Sequence, residues 1–122
     1  MSNQEQFQRS IEKIKFKFLA TLNSKADEFD GLLDRISKQD NAEEALQDIR
    51  INAHKIRGTA PTFGLRQIGD LAATVEDSIV DLSNPACDQQ ATVETLMAAF
   101  RGLVSELRLT AASEHPPNEA RA

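Results

Sequence analysis

Apolar side chains recur along this chain at alternating steps of four and three residues, in segment after segment. That is the spacing of an α-helix with one apolar face. Phe7, Ile11, Ile14 and Phe18 keep the rhythm, and Leu22, Ala26, Phe29, Leu33 and Ile36 continue it. Leu46, Ile49, Ala53, Ile56, Ala60 and Phe63 form a second stripe, and Ile68, Leu71, Ala72, Val75, Ile79 and Leu82 a third. Val93, Leu96, Met97, Phe100, Leu103, Val104 and Leu107 make the last. Lys38-Gln39-Asp40-Asn41 marks a turn with Asp40 or Asn41 as the next N-cap, Gly64 offers a helix stop, and Asn84-Pro85 opens a loop to about Gln89. Stripes joined by connections this short can hide only against one another. The expected fold is all-α, an antiparallel up-down four-helix bundle over residues 1–110, with residues 1–17 as an optional extra N-terminal helix. Ser24-x-x-Asp27 resembles a capping box that would break the first long stripe in two, and a single bent helix fits equally well. Residues 111–122, with Pro116-Pro117 and no apolar spacing, are expected to be a disordered tail.

With 122 residues, 40% hydrophobic and 27% charged, the chain can bury a core without staples. Its single cysteine, Cys87, rules out an internal disulfide. Leu96–Phe100 is the longest apolar run, far below the ~20 residues of a membrane span, and the N-terminus lacks a signal layout. A soluble, cytoplasmic, monomeric protein is expected, with no membrane partner. A net charge of −5 argues against nucleic acid as a partner.

A plain bundle does not account for Ala53-His54-Lys55-Ile56-Arg57-Gly58-Thr59-Ala60-Pro61. Glycine inside a helix costs on the order of 1 kcal/mol relative to alanine, and proline about 3. Pro61 also removes the hydrogen bond to the Arg57 carbonyl, so a bend is expected there. Positions 54, 57, 58 and 61 share one helix face, and His54 lies about 100° around from the core position Ala53, on the flank of the bundle. Gly58 leaves a bare patch one turn beyond the imidazole, Arg57 sets a permanent positive charge beside it, and Ile51 offers an apolar contact a turn earlier. From Ile49 to Gly69 four basic residues (Arg50, Lys55, Arg57, Arg66) meet no acid, so a window of +4 in a chain of −5 leaves −9 elsewhere. Such a window steers an acidic partner.

His54-Lys55-Ile56-Arg57-Gly58 resembles the H-x-[Leu/Ile]-[Lys/Arg]-Gly motif of histidine-containing phosphotransfer (HPt) domains, the four-helix intermediates of bacterial phosphorelays. The likeness spans about Phe18 to Leu107 and takes in the following Thr62-Phe63-Gly64. It implies that His54 is the phosphoryl acceptor and that Arg57 stands where the family more often has lysine, offsetting phosphate charge. Arg50, Ile51, Lys55, Gly58 and Pro61 would then be the docking surface. Glu76, one residue past the core position Val75, sits on the flank of the next helix as His54 does on its own. In the similar phosphoacceptor domain of chemotaxis kinases a glutamate at the matching place hydrogen-bonds the imidazole Nδ1–H.

The resemblance implies a phosphocarrier without kinase activity of its own, and the chain has no Gly-rich nucleotide loop. Its partners would be response-regulator receiver domains and a sensor histidine kinase. It implies no cofactor on this chain, with Mg²⁺ on the receiver. Three alternatives stand beside it: the phosphoacceptor piece of a larger histidine kinase, a non-catalytic adaptor bundle, and a metal or haem bundle. Met1 and the ending Glu119-Ala120-Arg121-Ala122 suggest a stand-alone protein rather than the first of these. The last lacks ligands, because His115 lies in the tail, and no metal site is expected.

Overall fold

The computed structural model describes residues 2–114. Five helices follow one another: α1 (Asn3–Leu19), α2 (Leu22–Ser37), α3 (Ala42–Thr59), α4 (Arg66–Leu82) and α5 (Gln89–Glu114), with a 3₁₀ turn at Ala60–Phe63 after α3. Helices α2 to α5 pack each on the next, and α2 closes the ring on α5. This is the four-helix bundle that the stripes predict, with α1 as the additional piece. Its core comes mostly from the stripes: Leu22, Ala26 and Phe29 of α2, Ile49, Ala53 and Ile56 of α3, Ile68, Ala72, Val75 and Ile79 of α4, and Leu96, Phe100, Leu103 and Leu107 of α5, with Leu32, Ala45 and Ala99 added from outside them and Val93 left exposed. Phe29 meets Phe100 edge-on at 5.7 Å between ring centroids, joining the two helices that close the ring. Arg108 adds ion pairs across the same seam, to Asp27 and Asp30. Among the described residues no helix is long and apolar enough to cross a membrane.

Helix ends follow local chemistry, with departures from expectation. Ser2 caps α1 by accepting from the Glu5 amide, and Asp88 accepts from the Ala91 amide at the start of α5. Asn41 begins α3 in the left-handed region (φ 47°), giving a turn conformation rather than a side-chain cap. The break in the first stripe falls at Ala20-Thr21, ahead of the Ser24 box. Both residues keep near-helical backbone angles, so the chain kinks rather than turns. The Thr21 hydroxyl donates to the Phe18 carbonyl at 2.7 Å, the local bonding by which threonine competes with the helix ladder. Helix α5 also outruns the boundary expected at 110. Ala111 continues the four-residue step of Leu103 and Leu107 into the core, and no breaker intervenes before Pro116. The rest of the expected tail, 115–122, lies outside the described residues.

Pro61 requires a correction. It does not bend a continuous helix: α3 stops at Thr59, and Pro61 takes the second position of the 3₁₀ turn, where its fixed φ fits and its missing N–H costs nothing. Gly64, at φ 77°, then reverses the chain, a conformation that suits glycine. Pro61 rests on Gly69 of α4, where an added Cβ would come within 2.8 Å of the proline Cγ. This contact sets how closely α3 and α4 approach. Gly69→Ala should therefore lower stability by about 1–2 kcal/mol despite alanine's better helix propensity, because a ring closed onto its own backbone can retreat only by a change of pucker, which leaves Cδ and the backbone nitrogen where they are. A denaturation midpoint at or above that of the unmodified chain would show that the contact is not limiting.

Candidate functional site

The pair Pro61–Gly69 fixes an antiparallel register between α3 and α4. Seven residues back along α3 and seven forward along α4, the same register brings His54 opposite Glu76. Gly69 and Glu76 are two turns apart on α4, and His54 lies seven residues before Pro61 through α3 and the start of the 3₁₀ turn, so both pairs lie on the shared seam. His54 Nδ1 and Glu76 Oε2 are 2.8 Å apart. An ionised carboxylate only accepts, so opposite one the neutral ring carries its proton on Nδ1 and leaves Nε2 with its lone pair. The imidazole side chain is 69% exposed and the Glu76 side chain 12%. A nearly buried carboxylate thus holds an open ring from behind, and Nε2 has no protein partner among the described residues.

Burying that carboxylate requires that both of its oxygens be satisfied. The second, Oε1, accepts from Arg57 Nη1 at 3.2 Å, and the same nitrogen reaches Asp77 Oδ1 at 3.0 Å. Hydrogen bonding to Asp77, and then to Glu76, pushes the guanidinium above its ordinary range. Arg57 is therefore committed to α4 in this state, and a group bound at Nε2 would have to share it with two carboxylates. Asp77 was not legible beforehand: helical spacing marks the flank of α4 but does not say which of two adjacent carboxylates the arginine of another helix reaches. Its only signal is its place next to Glu76.

The other expected residues divide. Ile51, Lys55 and Gly58 are exposed along α3 around His54, and a Cβ built at Gly58 would meet nothing within 4 Å. The bare patch is real, and none of the described residues fills it. Arg50 is half-buried, its Nε donating to Gln47 Oε1 at 2.7 Å. Pro61 is exposed as well, in the 3₁₀ turn that follows α3, with one edge of its ring against Gly69. The +4 window is also modified by folding, since α4 brings Glu76 and Asp77 against Arg57. Lys55 has no ion-pair partner among the described residues, and it is the basic group next to His54 in sequence that stays uncommitted.

A histidine held as a single tautomer by a buried carboxylate, exposed at its free nitrogen on the second helix of a four-helix ring, agrees with the resemblance carried by residues 54–58. Comparison with known proteins tests it over a longer stretch. The family model described as "Hpt domain" matches residues 14–110, most of the chain and all of the helical ring up to the last turn of α5. No curated protein and no solved structure matches. Hpt domains are phosphocarriers that work in histidine phosphotransfer with receiver domains and kinases. Matching over the greater part of its length, the chain belongs to the Hpt domain family.

Proposed function

We propose that the chain relays a phosphoryl group between aspartates of receiver domains through His54 Nε2. The observation that carries this reading is the 2.8 Å contact from His54 Nδ1 to a nearly buried Glu76, on a ring 69% exposed. In the forward step the Nε2 lone pair attacks phosphorus of an aspartyl phosphate. An N–P bond forms, the P–O bond to the aspartate breaks, and the carboxylate leaves with that electron pair. Nδ1 keeps its proton, so the phosphorylated ring is cationic, and Glu76 faces that new charge at hydrogen-bond distance. The return step reverses these bonds on the aspartate of a second receiver. Little covalent chemistry is asked of the carrier, because phosphoryl transfer is governed by positioning and charge. Glu76 positions the ring. Arg57 and Lys55 supply positive charge, with Arg57 swinging part of its hydrogen bonding from Asp77 to the phosphate. Mg²⁺ belongs to the receiver in this scheme.

Incubation with a phosphorylated receiver domain tests the reading. Acid-labile label should pass to the chain and then to a second, unphosphorylated receiver. A chain that takes up no label from any receiver would remove the relay function.

The docking surface proposed around Gly58 has a separate test. Gly58→Ala should raise stability by about 0.5–1 kcal/mol, since the methyl group meets nothing inside the chain and alanine is the better helix former. The same methyl group, one turn from the imidazole, should slow phosphoryl transfer at least about tenfold by holding the receiver off. Stability and transfer would move in opposite directions. Unchanged transfer in the stabilised variant would place the docking surface elsewhere.

A further inference from the structure

Helix α1 joins the core only through its last turn, Phe18 and Leu19, and the histidine site does not use it. From Ser2 to Ile14 only Ile11 is even half-buried, and Phe7 and Ile14 are 67% and 53% exposed. The helix touches the bundle sparsely, through α5 and through Phe18, whose ring lies 5.6 Å from that of Phe63. Helices in proteins gain most of their stability by covering an apolar face. The bundle covers this one only at its C-terminal end, at Phe18, and leaves Phe7 and Ile14 open.

The spacing of the uncovered stripe indicates its occupant. Phe7, Ile11, Ile14 and Phe18 step by four, three and four, the 3.5-residue repeat of paired helices. Phe7 and Phe18 lie symmetrically about the point between Glu12 and Lys13, and so do Ile11 and Ile14. A two-fold axis through that point sets Phe7 opposite Phe18 and Ile11 opposite Ile14 of an antiparallel second copy, the self-complementary arrangement of an isologous interface. Charge selects the same orientation. Lys13, Lys15 and Lys17 give the C-terminal half of the helix +3, whereas Glu5, Arg9 and Glu12 leave the N-terminal half at −1. Antiparallel pairing sets the lysine-rich half against the half that holds the acids, and parallel pairing sets lysines against lysines.

We infer that α1 is a self-association helix, pairing antiparallel with α1 of a second copy of this chain. Two heptads are too few for a free-standing coiled coil. Each end of the pair is braced instead by the bundle, where Phe7 of the second copy would extend the Phe18–Phe63 contact. The interface is of the small, transient class, so the monomer expected from the sequence gives way to a concentration-dependent dimer. This inference does not depend on the phosphotransfer reading.

Sedimentation velocity of the full chain over roughly two decades of concentration tests it. The mass should climb from 13.5 kDa toward twice that value. Ile14→Glu and Phe7→Glu should each weaken association at least about tenfold. Their helical circular dichroism and phosphoryl uptake should be unchanged, since both positions are exposed and distant in sequence from His54. A chain that stays monomeric throughout, or a dimer that survives both substitutions, overturns the inference. So does a monomer whose α1 instead binds phosphatidylserine vesicles, the other surface suited to a basic amphipathic helix.

Discussion

His54→Gln should take up no label from a phosphorylated receiver while remaining as stable as the unmodified chain to within about 0.5 kcal/mol. The loss is complete because an amide nitrogen has no basic lone pair with which to attack phosphorus. The fold is spared because the imidazole is mostly solvent-exposed, and a glutamine amide can still donate to Glu76. Glutamine is thus a sharper test than alanine, which would leave one oxygen of a buried carboxylate unsatisfied and mix two effects. The chain's other histidine, His115, lies outside the described residues, and the variant leaves it in place as an internal control. Label persisting on the variant would move the acceptor to another residue.

Glu76→Gln should slow transfer without preventing it. A hydrogen bond to a charged group contributes about 1.5–3 kcal/mol, and its loss in the transition state corresponds to roughly 10–100-fold in rate. The neutral amide can still accept from Nδ1–H, but it no longer faces the cationic phosphorylated ring with a full charge, and it no longer pairs with Arg57. Two readouts separate positioning from simple damage. The denaturation midpoint reports the lost pairing with Arg57, and the lifetime of the phosphorylated histidine reports the lost charge opposite the ring. The account expects both to fall. A variant that matches the unmodified chain in transfer rate and phosphohistidine lifetime would reduce Glu76 to a structural residue.

The bundle was legible because burial repeats with the helical period. Leu22, Ala26, Ile49, Ala53, Val75 and Leu103 all sit where their stripes require, each 2% exposed or less. His54 and Glu76 were legible for a related reason: each follows a core residue by one position, which puts it on a flank, and short loops make neighbouring helices antiparallel. What one helix at a time cannot show is register. The seam set by Pro61 on Gly69 decides that Glu76 reaches the imidazole and that Asp77 shares the arginine, and neither contact can be read from spacing within α3 or α4. The same limit explains the basic window, whose charge is offset by residues about twenty positions further along. It also explains α1. The stripe from Phe7 to Phe18 reads like the others, yet periodicity says only that a face needs covering, not by which surface.

The central claim is that Nε2 of His54 carries the phosphoryl group while Nδ1 keeps a proton held by Glu76. Long-range ¹H–¹⁵N correlation spectra of the chain phosphorylated by a receiver domain measure this directly, because the two ring nitrogens shift differently on phosphorylation and protonation. The account predicts one phosphorylated histidine, substituted at Nε2 and protonated at Nδ1. Phosphate at Nδ1, or on any residue other than His54, would contradict it.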